Sequence, residues 1–216
     1  TTEVMSDSNA VMNSLHSKFT TNNNKVTNNN NENTKCKLEN QQPNPVSTSF
    51  YIEINGKPIF MRGANMIPLD ILTSRVSQSD REYLLKTVLD SNMNMIRVWG
   101  GGIYQSNDLY DYCDENGILV WQEFAFACAM YPTSNEFIND VILEIEEQVI
   151  RLSSHSSIVI WGGNNENEVA LQWFPDSQNN RDLYVSDYSK LYDIIYNVLH
   201  SIVSSSKLGL NSYAWV

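Results

Sequence analysis

Apolar positions beyond about residue 50 follow two patterns, short alternating runs and longer stretches with helical spacing. Phe50–Ile54 alternates apolar and polar residues, Asn55-Gly56 is typical of a type I′ turn, and Lys57 begins a second run. Together these features predict a β-hairpin. After the hairpin, apolar runs alternate with helical stretches, which is typical of βα units around a parallel sheet. The predicted fold class is therefore α/β.

Four apolar runs predict the strands of the parallel sheet. They are Ile59–Asn65, Met95–Trp99, Ile118–Phe124 and Ser157–Trp161. Helices are predicted to begin after them at about Asp80, Asn107, Asn135 and Asp187. We expect Ser79 and Glu82 to form a capping box at the first helix, and Gly117 to end the second. These elements make about four βα units.

Charge and cysteine spacing exclude several functional classes. The net charge is −11, with 25 acidic and 14 basic residues, which argues against nucleic acid as a partner. Cys36, Cys113 and Cys128 have no C-x-x-C or Cys/His spacing, and His155 and His200 have no ligand-spaced neighbours, so no metal site is predicted. We also expect no signal peptide in these 216 residues and no membrane span, because no run approaches ~20 apolar residues.

Polar and aromatic side chains lie where the predicted strands end. They are Asn65, Trp99, Gln122, Glu123, Asn165 and Glu166. In parallel βα folds these strand ends form one functional face. Amides and carboxylates bind sugar hydroxyls, and an indole stacks against the sugar's C–H face, so this set predicts a carbohydrate site.

Glu166 is the candidate proton donor at this face. Glycoside hydrolysis commonly uses two carboxyl groups, one protonated to assist the leaving oxygen and one ionised at the anomeric carbon. The alternative interpretation is that Asn164–Glu168 is only a polar loop, in which Glu166 or Glu168 caps the next helix.

Five ordered motifs resemble the β-mannosidase branch of glycoside hydrolase family 2. They are Arg62–Pro68, Arg97–Gly102, Ile118–Phe124, Ala127–Pro132 and Ile158–Glu168. The resemblance implies a TIM (β/α)8 catalytic barrel, of which this chain holds the N-terminal half. It also implies retaining hydrolysis of terminal non-reducing β-D-mannose in oligosaccharides, without a cofactor. A lysosomal or secreted location is expected for the parent family.

The resemblance also implies roles for individual residues. Glu166 takes the acid/base role, and Asn165 contacts the 2-hydroxyl of the sugar. Trp99 and Trp173 are expected to line substrate subsites, with Asn65 as a further substrate-binding residue. No metal ligand is implied.

Some positions depart from the family pattern or remain open. Met66 stands where the family usually has Trp, so the shape of that subsite is expected to differ. The family's nucleophile is a Glu near the end of the seventh strand, whereas no Glu follows Glu168 in the printed sequence. Arg97 is interpreted as an internal salt-bridge partner, with a substrate clamp as the alternative. Cys128 is interpreted as a packed thiol in a loop that could border the site.

The predicted organisation has three parts. Residues 1–48 are polar and rich in Asn, which predicts disorder, because so few apolar groups cannot offset the entropy of ordering. Residues 49–203 form the partial barrel, since a whole barrel needs roughly 250 residues. Residues 204–216 form an atypical tail. We expect such a chain to be inactive on its own.

Two other functions stay open at this stage. A β-galactosidase or β-glucuronidase of the same family would retain Asn165 and Glu166, but it would usually have His where this chain has Trp99. A non-catalytic fragment could instead bind sugar or a complementary half barrel.

Overall fold

Parallel strands alternate with helices in the computed structural model, which describes residues 51–204 and 214–215. The segment predicted to be disordered, 1–48, lies outside these residues. The chain divides into two compact units, Thr1–Ile59 and Phe60–Val216.

The described part of the first unit is a β-hairpin. Strand β1 (Ile52–Ile54) pairs antiparallel with β2 (Lys57–Ile59), and Ile54 lies opposite Lys57. Asn55 and Gly56 join them with φ angles of 51° and 74°. A type I′ turn requires positive φ at both central residues, so the predicted hairpin and its turn are confirmed.

The second unit contains a parallel sheet of five strands in sequential order. The strands are β3 (Gly63–Met66), β4 (Met95–Val98), β5 (Leu119–Glu123), β6 (Ile158–Gly162) and β7 (Ala214–Trp215). Each strand from β4 to β7 pairs in parallel with its predecessor, as in the wall of a barrel. The α/β fold class and the four predicted strands are confirmed.

Strand β7 lies within residues 204–216, the segment that the sequence predicted to be an atypical tail. Ala214 and Trp215 pair with Ile160 and Trp161 of β6, so this end of the chain continues the sheet. The sequence did not predict the strand because two paired residues are too few to show an alternating pattern.

Helices separate these strands along the chain. They are α1 (Gln78–Asp90), α2 (Asn107–Asn116), α3 (Asn135–Leu152), α4 (Asn167–Ala170), α5 (Pro175–Asn179) and α6 (Arg181–Ser204). Helix α6 begins at Arg181 rather than near Asp187, because its first turns are mostly exposed and lack the apolar spacing used to place it. The short helices α4 and α5, of 4 and 5 residues, were missed because such lengths are too short to show helical spacing.

The start of α1 differs from the predicted capping box. Ser77, not Ser79, is the N-cap, and its Oγ accepts a hydrogen bond from the Asp80 amide at 3.2 Å. The Asp80 carboxylate in turn accepts from the Ser77 amide at 2.8 Å. Both serines have a carboxylate three residues later, so spacing alone did not decide between them.

Replacing the N-cap gives a test of this correction. Ser77→Ala is expected to speed hydrogen exchange at the first amides of α1 about fivefold, because an N-cap contributes about 1 kcal/mol. Ser79→Ala is the matched control and should have a smaller effect. Exchange measured by mass spectrometry would contradict the assignment if Ser79→Ala accelerated these amides as much as Ser77→Ala.

The core lies between the sheet and the helices. Its fully buried members include Val98, Leu109, Tyr110, Val120, Ile145, Val149 and Leu152. The acidic residues Glu136, Asp140, Glu146 and Glu147 of α3 are exposed, so this side of the helix faces solvent. Among the described residues, no helix is both long enough and apolar enough to cross a bilayer.

Candidate active site

Arg97 connects the strand ends that the sequence predicted to form one face. Its Nε donates to Glu123 Oε1 at 2.8 Å, and its Nη1 donates to Asn65 Oδ1 at 3.1 Å. Its Nη2 donates to Asn165 Oδ1 at 2.6 Å. One guanidinium thus joins β3, β4, β5 and the loop after β6. The interpretation of Arg97 as a salt-bridge partner is confirmed.

Glu123 is a buried partner of Arg97. The residue is 2% exposed, and its second oxygen accepts a hydrogen bond from the Gly100 amide at 2.8 Å. Gly162 leaves the space that this side chain needs, since a Cβ there would lie 2.8 Å from Glu123 Cγ. A carboxylate held in this way positions other groups, and it has no open side for a substrate.

Gln122 was expected at the functional face, but its side chain lies on the other side of the sheet. Its Oε1 accepts from the Tyr110 hydroxyl at 2.6 Å, on the side of the sheet that packs against α2. Successive side chains of a strand point to opposite faces, so Gln122 and Glu123 cannot share one face. Trp121, which the sequence did not single out, shares the face of Glu123, and its ring lies 5.0 Å from the Arg97 guanidinium.

Asn165 and Glu166 lie on a loop that is fixed by a second loop. Asn165 N donates to Phe126 O at 2.8 Å, and Cys128 N donates to Asn165 O at 2.8 Å. The side chain of Asn165 is buried and held by Arg97, whereas Glu166 is exposed. The predicted pair therefore presents one fixed amide and one accessible carboxylate.

Cys128 lies beside this pair rather than in the core. Its Sγ lies 3.6 Å from Glu166 Oε2 and 3.4 Å from Asn165 Nδ2. The thiol is half-buried, and the interpretation as a packed thiol did not include its contacts with these two residues. Cys113 in α2 is the packed thiol: it is fully buried, and burial raises its pKa to about 12.

Glu166 also lines an open depression of about 580 Å³. The other lining residues include Trp121, Asn164, Glu168, Val169, Tyr188 and Tyr192. The Tyr188 hydroxyl donates to Glu168 Oε1 at 3.0 Å and accepts from Asn164 Nδ2 at 3.2 Å. Burial and the Glu168 carboxylate raise the pKa of Tyr188 to about 12, so it remains a donor. Carboxylates can accept hydrogen bonds from sugar hydroxyls and aromatic rings can stack on a sugar, so this lining is compatible with a carbohydrate.

The two predicted tryptophans lie differently. Trp99 follows β4 directly, and its ring covers Gly101 so closely that a Cβ there would lie 2.1 Å from the ring. Trp173 follows α4, is 44% exposed, and is not among the residues that line the depression with Glu166. The subsite roles of both residues stay predictions.

A cluster of polar residues lies at the opposite end of β6. His155 Nδ1 is 2.7 Å from Asp114 Oδ2 and 3.9 Å from Asp111 Oδ1, although the sequence showed no ligand-spaced neighbour for this histidine. Asp114 Oδ1 accepts from the Ser157 amide at 2.7 Å. Asp114 thus ties the end of α2 to the start of β6, which gives the cluster a structural role.

The chain is similar in sequence to a known family of enzymes. Residues 47–198 match the TIM barrel domain of glycosyl hydrolases family 2, and the chain belongs to that family. The β-mannosidase of Bos taurus is 47% identical over 157 residues, which cover 72% of this chain and 18% of that enzyme. The probable β-mannosidase of Caenorhabditis elegans is 42% identical over 167 residues, or 76% of this chain and 19% of that protein.

Solved structures show the same similarity. The β-D-mannosidase from Dictyoglomus thermophilum superposes with a TM-score of 0.60 at 36% identity, over 77% of this chain and 20% of that one. A β-glucuronidase of Bacteroides uniformis shares the fold, with a TM-score of 0.61 at 21% identity over 69% of this chain and 18% of that one. The chain spans about a fifth of the length of the relatives it matches. The predicted resemblance and the partial barrel are confirmed.

Proposed function

We propose that the protein is a retaining β-mannosidase, which removes terminal non-reducing β-D-mannose from oligosaccharides with Glu166 as its acid/base. The observation that carries the proposal is the exposed carboxylate of Glu166 beside the buried amide of Asn165, at the carboxyl end of β6. The similarity to β-mannosidases over most of the chain supports the choice of sugar.

Glu166 would act twice in this reaction. In the first step its carboxylic acid donates a proton to the glycosidic oxygen as the leaving group departs. In the second step the carboxylate accepts a proton from water, which attacks the anomeric carbon. The exposed position of Glu166 allows both substrate and water to reach it.

Asn165 would hold the sugar next to this carboxylate. Its Oδ1 accepts from Arg97, which fixes the orientation of the amide and directs its Nδ2 away from the guanidinium. The Nδ2 group is then a donor for the 2-hydroxyl of a mannoside. This hydroxyl is axial in mannose and equatorial in glucose and galactose, so a fixed amide can contribute to discrimination.

A retaining mechanism also needs a second carboxylate, the nucleophile. No Glu follows Glu168 in the 216 residues, and Glu123 is buried against Arg97. We propose that residues 1–216 alone hydrolyse no β-mannoside at a measurable rate. Activity should therefore be assayed with the protein expressed from its full coding sequence, with residues 1–216 as the control.

A substrate panel tests the proposed function. We expect the protein from the full coding sequence to give its highest kcat/KM with 4-nitrophenyl β-mannoside, compared with the matched β-galactoside and β-glucuronide. The leaving group is the same in all three, so the comparison reports the sugar alone. A preference for either of the other sugars, or no turnover of the mannoside, would overturn the proposal.

The resemblance also supports a lysosomal or secreted location for the protein. Microscopy of the tagged protein, expressed from its full coding sequence, tests this proposal. Retention in the cytosol would contradict it.

A further inference from the structure

Cys128 and Glu166 share a backbone conformation that is rare for their residue types. Among the described residues, four other than glycine have positive φ, and two of these are asparagines, which tolerate it. The other two are Cys128 at 55° and Glu166 at 57°. A left-handed conformation at such residues costs of order 1 kcal/mol and persists only where the surroundings impose it.

The surroundings that impose this conformation are two interlocked loops. Ala127 and Asn165 form a parallel bridge, flanked by the backbone hydrogen bonds between Phe126, Asn165 and Cys128. The Asn167 side chain adds a hydrogen bond to Ala129 O at 3.1 Å. The two loops therefore fix the Cβ atoms of Cys128 and Glu166 relative to each other, and the side chains meet.

The thiol of Cys128 is placed between the two groups that would contact substrate. A thiol is both a weak donor and a weak acceptor, so it can donate to Glu166 Oε2 and accept from Asn165 Nδ2. Few other small side chains could serve both contacts. Alanine would serve neither, and serine could serve both over a shorter reach.

We propose that Cys128 is a positioning residue for the acid/base Glu166. The thiol donates a hydrogen bond to Oε2 of the carboxyl group. Oε1 is then the oxygen that carries the proton and delivers it to the glycosidic oxygen. Without the thiol, the carboxyl group rotates more freely and proton delivery slows. This role rests on the proposed function, because it concerns proton transfer by Glu166.

If Cys128 acts through Glu166, the effect of its removal on kcat/KM should depend on the leaving group of the substrate. A 4-methoxyphenolate leaves slowly unless its oxygen is protonated, whereas 2,4-dinitrophenolate leaves without assistance. A residue that only stabilises the loops would change the rates for both leaving groups by the same factor. A residue that positions the acid would change mainly the rate for the first.

The test compares Cys128→Ala and Cys128→Ser with wild type, each expressed from the full coding sequence. We expect Cys128→Ala to lower kcat/KM for 4-methoxyphenyl β-mannoside about fivefold, as for the loss of one ordinary hydrogen bond. The value for 2,4-dinitrophenyl β-mannoside should stay near wild type. Cys128→Ser should recover part of the loss, since its hydroxyl is also a donor.

A second measurement modifies the wild-type protein chemically and uses Cys128→Ser as its control. Iodoacetamide should alkylate Cys128 in the folded protein and lower turnover of the 4-methoxyphenyl substrate, while Cys128→Ser resists inactivation. Cys113 is the internal reference, because burial raises its pKa to about 12 and slows alkylation. Peptide mass spectrometry identifies the modified cysteine.

The outcomes separate this role from the proposed function. Equal losses with both substrates in Cys128→Ala, or full activity on both after alkylation of Cys128, would overturn the positioning role alone. A wild-type protein that hydrolyses neither mannoside would overturn the proposed function, and the role of Cys128 would fall with it.

Discussion

Glu166→Ala is expected to lower kcat/KM for 4-methoxyphenyl β-mannoside by roughly 10²- to 10⁴-fold, the usual contribution of general acid catalysis. The first step with 2,4-dinitrophenyl β-mannoside needs no acid, so its kcat/KM should change little. The second step still needs a base, so kcat and KM should both fall as the glycosyl-enzyme accumulates. Steady-state kinetics of the two substrates measure both effects.

Glu168→Ala is the matched control for this experiment. Glu168 is an exposed carboxylate two residues away that lines the same depression, but its side chain accepts a hydrogen bond from Tyr188. We expect its loss to lower activity far less and by a similar factor with both leaving groups. If Glu168→Ala showed the leaving-group dependence and Glu166→Ala did not, the two assignments would have to be exchanged.

Arg97→Met is expected to have the second largest effect, on stability as well as activity. The substitution leaves Glu123 buried without its cation, and breaking a buried ion pair on one side costs about 3–5 kcal/mol. It also removes the donors to Asn65 and Asn165. We expect faster hydrogen exchange across β4 and β5 and a large loss of mannosidase activity.

The double variant Arg97→Met with Glu123→Gln separates these two effects. Replacing the unpaired carboxylate of Glu123 by an amide should recover part of the stability, because a neutral amide costs less free energy to bury than a charge. Activity should stay low, since Asn165 still lacks its partner. If backbone amides of β4 and β5 exchanged hydrogen as slowly in the single variant as in the double variant, the stabilising role of this ion pair would be contradicted.

Much of the fold could be predicted from local sequence patterns. The strand at Ile158–Gly162 is almost wholly apolar, and the Asn55-Gly56 turn has one strongly preferred geometry, so both were predicted correctly. The start of α1 could not be placed, because Ser77 and Ser79 offer the same spacing and only their hydrogen bonds decide. Helix α6 begins before its apolar pattern does.

The candidate site was only partly visible in the sequence. Asn65 and Asn165 follow different strands, and the sequence could place them on one face but could not show that Arg97 joins them. Trp121 could have been found from strand alternation, because it shares the face of Glu123. The contact of Cys128 with Glu166 depends on two loops that meet through tertiary pairing, for which the sequence has no local signal.

The anomeric configuration of the azide product of Glu166→Ala tests the central claim most directly. Azide needs no general base, so it can attack the glycosyl-enzyme where water cannot, on the face that Glu166 serves. We predict that the variant, given 2,4-dinitrophenyl β-mannoside and sodium azide, forms β-mannosyl azide, identified by NMR. An α-mannosyl azide, or no azide product at all, would show that residue 166 is not the acid/base of a retaining β-mannosidase.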